Sequence, residues 1–350
     1  MSTGVVHVVA PEGIADPARP SGGNVYDRRL CDTLAARGWQ VHLHESPGSW
    51  PTPAPADLHL LGAHLDDVPD GSAVLVDGLV GSAAADVLLR RVARLRLFVL
   101  VHLPLGVGSL PSRRSEATLL CRVAGVVTTS TWTRRWLLEH YGIAEARVHV
   151  AVPGADPAPL ATGTPESDSL LCVGAVTPTK GQDLLLEALG GLGDLRWRCV
   201  CVGSLDVDPD FAGHVRSLAD APTLRGRVAL SGARTGPALD AAYAAADVLV
   251  LPSRTETYGM VVTEALARGL PVVATRTGGT PESLGGTADG TLPGLLVPPG
   301  DPAALAAALR AWLVQPVVRE RARTAARERR TTLPSWADTA DRVAEVVAGG

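Results

Sequence analysis

The sequence predicts an α/β protein built from two doubly wound domains with parallel sheets, and three observations carry that prediction. Short β-branched runs alternate with amphipathic stretches along the whole chain, the pattern of parallel strands joined by crossover helices. The alternation breaks once, at "PGADPAPLATGTPESD" (153–168), which is rich in Pro, Gly and Ala and lacks apolar periodicity, and then begins again. The chain has 350 residues, more than one hydrophobic core organises.

In the first half the strand candidates are VVHVV (5–9), QVHLH (40–44), AVLVD (73–77), RLFVLVH (96–102), GVVTTS (125–130) and RVHVAV (147–152), with helices between them. The segment 153–168 reads as a linker. Beyond it come SLLCVGAV (169–176), RWRCVCVG (196–203), RVALSG (227–232), DVLVLPS (247–253), PVVAT (271–275) and GLLVP (294–298). "RERARTAARERR" (319–330) reads as a solvated helix face. "SWADTADRVAEVV" (335–347) has a Ser cap and apolar spacing for a final packed helix. The expected domains are therefore 1–160 and 165–333, with the closing helix, 335–350, packing back near the first. Two such halves leave a cleft between them, and sheets of this kind bind ligands at the carboxyl ends of their strands.

Composition removes several classes of function. Hydrophobic residues make up 46% and charged residues 19%, a globular balance, and with two Phe and four Tyr the cores must be built from Leu, Val and Ala. A net charge of −4 lacks the basic excess that draws a protein to nucleic acid. The N-terminus "MSTGVVHVVAPEG" enters an apolar strand without a basic leader, and no stretch reaches the ~18–20 uncharged apolar residues that span a bilayer, so a cytoplasmic protein is expected. Five cysteines, Cys172, Cys199 and Cys201 among them, lie in or beside apolar segments and suit reduced core thiols; no second pair completes a zinc site.

Lys180, in "LLCVGAVTPTKGQDLLLEAL" (170–189), is the only lysine among 32 basic residues. It follows a strand end and precedes a helix, where its ammonium can reach an anion held in front of the sheet. The plain alternative is a solvated loop lysine. That alternative is weakened by a bias that has made every other basic residue arginine.

The second constellation is "LPSRTETYGMVVTEALARGLPVVATRTGG" (251–279). A buried strand ends at Pro252, a loop carries Glu256, and Gly259 opens a helix that contains Glu264. The first helical amides, at Gly259, Met260 and Val261, and the positive end of the helix dipole suit a diphosphate or a sugar hydroxyl. Glu256 and Glu264 can face one ligand from different depths, accepting hydrogen bonds from vicinal hydroxyls. Equally, Glu256 can cap the helix and Glu264 can be an exposed helical glutamate.

These residues resemble the retaining glycosyltransferases of family 4. The resemblance runs through "VGAVTPTKGQDLLLEAL", "AYAAADVLVLPSRTETYGMVVTEALARGLPVVATRTGGTPE" and "GLLVPPGDPAAL", and more loosely through "SGGN", "VHLP" and "TTSTWTRRWL". It implies the GT-B fold of two facing Rossmann-like domains with an interdomain cleft, and transfer of a hexose from a nucleotide sugar to a small-molecule or glycan acceptor. UDP-sugar is the first expected donor and GDP-mannose the second, with no metal or other cofactor. It further implies that Lys180 meets the donor diphosphate, Glu256 the transferred sugar and Glu264 the ribose. The amides of Gly259, Met260 and Val261 would hold phosphate or sugar oxygens. Gly22 and Gly23 would let backbone approach the phosphates, and His102 would face the reacting sugar.

One departure stands out. The family places an arginine a few residues before the lysine, where this chain has Ala175 in "VGAVTPTKG". Supply of the missing charge by Arg254 or Arg234 is the first candidate, a larger share carried by the helix dipole the second, and slow or lost transfer the third. The departure keeps open a binding protein without turnover, beside a pseudo-glycosyltransferase or sugar-nucleotide epimerase on the same fold. A nicotinamide dehydrogenase is disfavoured, since no strand leads into Gly-x-Gly-x-x-Gly. Among weaker signals, Asp-x-Asp in "LDVDPD" (205–210) reads as helix-start acids before a metal site. His42 and His44 read as packing, and the basic, apolar "LLRRVARLRLFV" (88–99) as a helix end running into a strand rather than a membrane contact. Loops 11–22 and 104–112 are expected to shape the acceptor site.

Overall fold

In a computed structural model, which describes residues 4–16, 21–108 and 110–349, the chain divides into two compact units: residues to Gly154 together with those from Pro334, and Ala155–Leu333. The first runs β1 (Val5–Pro11), α1 (Gly22–Ala36), β2 (Gln40–Ser46), α2 (Pro55–Asp66), β3 (Ala73–Asp77), α3 (Gly78–Ala83), α4 (Ala85–Leu89), β4 (Arg96–Val101), α5 (Leu110–Leu120), β5 (Gly125–Thr128), α6 (Thr131–Tyr141) and β6 (Val148–Val150). Its six strands are parallel, in the order β2-β1-β3-β4-β5-β6. All five residues of β3 are buried, because helices cover both faces of the sheet and leave no polar side. Each buried Val or Leu there contributes about 1.5–3 kcal/mol relative to exposure. The chain reverses direction across the sheet between β1 and β3, so the strand ends on either side of that point form a crevice.

The second unit runs β7 (Ser169–Val173), α7 (Gln182–Gly190), β8 (Arg198–Val202), α8 (Pro209–Ala219), β9 (Val228–Leu230), α9 (Gly236–Ala244), β10 (Val248–Leu251), α10 (Met260–Ala267), β11 (Val272–Thr275), α11 (Thr280–Leu284), β12 (Gly294–Val297), α12 (Pro302–Val314) and α13 (Pro316–Arg330). Its parallel sheet has the order β12-β11-β10-β7-β8-β9, with the reversal between β7 and β10. The last helix, α14 (Trp336–Gly349), belongs to the first unit. There Trp336 meets the Tyr26 ring edge-on at 5.5 Å, Thr339 donates to the Val152 carbonyl at 2.8 Å, and Arg37 pairs with Asp341.

Every strand read from the sequence is present. Several stop earlier than their apolar runs, at Val101, Thr128, Val173 and Leu251, and the leftover residues are the loops at the carboxyl ends of the sheets. The stretch read as a linker is corrected. Residues 161–164 are strapped to the second unit: Ala161 N–H donates to Arg268 O (2.9 Å), Thr162 and Gly163 to Ala244 O (3.0 Å each), and Thr164 to the Asp247 carboxylate (2.9 Å). Pro and Gly prevent regular structure there, but the amides still need acceptors, and the unit boundary falls after Gly154 rather than at 160.

The basic stretch 88–99 is tied inward. Arg91 grips Asp66 (2.9 and 2.6 Å), Arg94 reaches Asp70 (2.9 Å), and Arg96 donates to Val347 O (2.6 Å), so these three cations are paired within the protein. Among the described residues no helix is long and apolar enough to cross a membrane. His42 and His44 share a face with His7, whose Nδ1 lies 2.9 Å from His44 Nε2. All five cysteines are free, and Asp208 of the Asp-x-Asp caps α8 by accepting from Phe211 N–H (3.0 Å).

Candidate active site

The reversal point of the second sheet lies between β7 and β10, and the loops that follow those two neighbouring strands carry Lys180 and Glu256. The loop after β7 is fixed from below by Gln182 on the first turn of α7, whose Nε2 donates to Gly174 O (3.3 Å) and Ala175 O (3.0 Å). The loop after β10 is tied to it by Arg254, whose backbone N–H donates to Thr179 O at 2.8 Å. Between these supports Lys180 Nζ donates to Glu256 Oε2 at 2.7 Å, with Ser253 Oγ 3.4 Å from the same oxygen. The Glu256 side chain is 9% exposed and that of Lys180 33%, so the carboxylate is a fixed floor and the ammonium sits at the mouth.

Gly259 precedes α10 and has no side chain to cap it, so the amides at Met260 and Val261 begin the helix without a side-chain acceptor. Behind them the turn after β11 presses on the same loop. Gly278, at φ +53°, leaves no room for a Cβ against the Glu256 carbonyl oxygen, which accepts the Gly279 N–H at 3.0 Å. Glu264 lies deeper: its Oε2 accepts from Tyr243 Oη at 2.7 Å. Burial raises the Glu264 pKa against the lowering effect of that hydrogen bond and of Arg268.

Arg254 already has a partner in the structure. It was expected to stand in for the arginine missing at Ala175, but its guanidinium grips Asp183 of α7 at 2.8 and 2.7 Å and donates to Pro178 O at 2.8 Å. The Asp183 hydrogen bond raises the Arg254 pKa. For Asp183, burial acts upward, but the hydrogen bond and charge of Arg254 hold its pKa below the usual carboxylate value. The pair is a neutral brace between the two loops. Arg234 follows β9, in a loop whose Gly232 O accepts from Gly203 N–H (2.9 Å), and Gly203 itself lies against the Gly174–Ala175 backbone. Arg234→Ala is expected to weaken nucleoside diphosphate binding about tenfold, the discrimination worth about 1.4 kcal/mol. Arg254→Ala is expected to act through loop order and protein stability, and titration of the two variants separates these effects.

In the first unit, β1, β3 and β4 are neighbours, and their carboxyl ends hold a second group of side chains. Gly22 and Gly23 open α1, whose Ser21 cap accepts from Asn24 N–H at 3.0 Å. One turn along, Asp27 Oδ1 lies 2.8 Å from Nε2 of His102, the residue after β4, and Asp77 Oδ2, at the end of β3, lies 3.4 Å from the same nitrogen. Gly23 sits flat against this imidazole; a Cβ there would stand 3.2 Å from His102 Cδ2. The structure therefore groups Gly23 with His102, and Lys180 with Glu256 and Gly259. Sequence reading missed Asp27 and Asp77, which stand in no motif, and Tyr243 and Gln182, which lie within the quoted motifs but were not singled out. Of the loops expected to shape an acceptor site, residues 17–20 and 109 lie outside the described residues.

Residues 167–315 match the family described as "Glycosyl transferases group 1". The second unit carries a group 1 glycosyltransferase domain. The family 4 resemblance carried by the motifs around Lys180 and Glu256 is borne out. A D-inositol 3-phosphate glycosyltransferase of Kineococcus radiotolerans is 35% identical over 252 residues, covering 63% of this chain and 56% of that relative. The chain spans about half the length of the curated relatives it first matches. Sucrose-phosphate synthase from Thermosynechococcus elongatus superposes with a TM-score of 0.81 at 21% identity, covering 99% of this chain and 98% of that one. Anabaena HepE in complex with UDP-glucose gives 0.80 at 17% identity, covering 99% and 100%. At such identities the likeness establishes the fold, which is GT-B with two Rossmann-like domains.

Proposed function

We propose that this glycosyltransferase homologue moves a hexose from a nucleoside diphosphate sugar to a small-molecule or glycan acceptor, with retention of anomeric configuration and without a metal. The observation that carries the reading is the Lys180–Glu256 pair, set at the start of α10 and at the reversal point of the second sheet. In transfer, negative charge develops on the leaving diphosphate. Lys180 and the positive end of α10 are fixed donors for that charge, as preorganised electrostatic stabilisation requires. In this reading Glu256 accepts hydrogen bonds from the sugar hydroxyls, and Glu264, one turn deeper, from the ribose. UDP-glucose in the HepE complex supports UDP as the first base to test. The Kineococcus relative is a D-inositol 3-phosphate glycosyltransferase, which supports a small phosphorylated polyol as acceptor ahead of a glycan.

Calorimetric titration with UDP, GDP and ADP, with and without EDTA, tests the reading. Micromolar binding of one diphosphate, unchanged by EDTA, is the expected result. Binding of none, or binding abolished by EDTA, overturns the donor site as described. The second reading is a nucleotide-sugar binding protein without turnover, favoured by Ala175; hydrolysis of the bound donor in the absence of acceptor excludes it.

A further inference from the structure

Asp27, Asp77 and His102 present an arrangement that the donor site does not explain. Two carboxylates from different elements, α1 and the end of β3, converge on one imidazole nitrogen. Both are buried: Asp27 is 2% exposed and Asp77 5%. Asp77 Oδ1 has a structural duty, capping α3 through Leu79 N–H (2.8 Å) and Val80 N–H (3.2 Å), which leaves Oδ2 to face His102. Asp27 has none: Oδ1 meets His102, and Oδ2 is buried without a hydrogen-bond partner among the described residues. An orphaned carboxylate oxygen in a core costs about 1–3 kcal/mol or more, and a fold tolerates it where the group does something else.

We propose that Asp27 and Asp77 are positioning residues for His102, sharing a proton with it and holding its ring fixed so that it donates a hydrogen bond to a substrate oxygen at the carboxyl ends of β1, β3 and β4. The proposal rests on the glycosyltransferase reading and extends it to the first unit. With Nε2 committed to the carboxylates, Nδ1 is the nitrogen that meets the ligand. Gly23 completes the clamp, because any side chain at that position would push the ring off its present plane.

The charge balance agrees. Two buried carboxylates side by side resist simultaneous ionisation. Burial, and then the neighbouring Asp27, push the Asp77 pKa up to about 7. Burial alone would lower the His102 pKa, but Asp27 and then Asp77 outweigh it and the value stands above the ordinary one. The groups facing the cluster from the packed elements are few: the Tyr26 ring lies edge-on to His102 at 5.1 Å, and the Cys31 thiol, its pKa raised to about 12 by burial and by Asp27, stays protonated. Below neutrality the cluster therefore holds the Asp77 proton beside an imidazole that keeps its own proton more firmly than an ordinary histidine. As pH rises through neutrality it loses a proton, and the donor needed by the ligand weakens.

The three side chains also place one nitrogen and two oxygens within 4.8 Å of one another, which makes a bound divalent cation the rival occupant. The experiment decides between them. Imidazole nitrogens are followed by NMR as a function of pH in the ligand-free protein, with His102 assigned by loss of its signal in His102→Gln, for wild type, Asp27→Asn and Asp77→Asn. His102 is expected to titrate above about 6.5 in wild type and at least about one unit lower in Asp27→Asn. The pH profile of donor hydrolysis, measured with UDP-glucose (or GDP-mannose where GDP is the diphosphate bound), is expected to lose rate on its alkaline side. That limb should move to lower pH in both variants, with kcat affected more than KM. Thermal melts identify a variant that fails to fold, and Asp27→Glu then serves in its place. A His102 titration that the variants leave unmoved overturns the proposal, as does a kinetic limb that stays put while the titration shifts. Stoichiometric metal found by elemental analysis also overturns it. Absence of any wild-type turnover counts against the glycosyltransferase reading itself, while the NMR titration still decides the cluster.

Discussion

Lys180→Ala is expected to lower transfer or donor hydrolysis ~100- to 1000-fold, the usual loss on removing one preorganised stabiliser of transition-state charge. Its neighbour separates that effect from a general disturbance. Lys180 Nζ has three donors, and in the structure one of them serves Glu256 Oε2 at 2.7 Å. The proposed diphosphate would take the others without breaking this bond, with Glu256 keeping the ammonium aimed. Lys180→Ala removes the cation and leaves a nearly buried carboxylate unpaired, so diphosphate affinity and stability both fall, the latter by about 1–3 kcal/mol. Glu256→Gln removes the sugar's acceptor but keeps the cation; turnover falls while diphosphate affinity holds or rises. In the double variant the stability recovers and the rate does not, a non-additive pattern diagnostic of a direct pair. A loss of tenfold or less in Lys180→Ala, or equal diphosphate binding by wild type and Lys180→Ala, would remove Lys180 from the donor site.

The fold was legible because its signal is local and repeated. Twelve apolar runs of β-branched residues became twelve strands, and the break at 153–168 marked the change of unit, although the strap 161–164 looked like a linker because its partners, Ala244, Asp247 and Arg268, are more than 80 residues distant in sequence. Lys180, Glu256 and Gly259 were legible for another reason: a loop between strand and helix leaves a compact sequence footprint. Arg254 looked like a free cation because a sequence displays a charge without its partner, Asp183, which stands on the first turn of α7. Asp27 and Asp77 were illegible on the same grounds. One is an unremarkable helical aspartate and the other the last residue of an apolar strand run; only the strand order β1-β3-β4 brings them to His102. Sites built on adjacent loops can be read from sequence, whereas sites built across a sheet wait for its topology.

The topology also locates the substitution expected to do most harm with the smallest change of atoms. Gly278→Ala adds one methyl group, yet the residue stands at φ +53° and its Cβ would fall on the Glu256 carbonyl oxygen, the acceptor of the Gly279 N–H. The left-handed conformation alone costs a side chain about 1–3 kcal/mol, and forcing apart a close-packed backbone contact costs about as much again. The contact is backbone against backbone, so no rotamer change relieves it. Relief requires the turn after β11 or the loop after β10 to move, and the second of these carries Glu256. Gly278→Ala is therefore expected to lower the melting temperature and also to weaken nucleoside diphosphate binding, because Glu256 and Lys180 lose their common geometry. Gly213→Ala is the matched control: it lies within α8 with nothing within 4 Å of the new Cβ, and it should leave binding unchanged and stability equal or improved. A Gly278→Ala protein that melts and binds like wild type would show that the loop yields without disturbing the pair. The rigidity assigned to Glu256 would then be wrong, whatever the chemistry of the site.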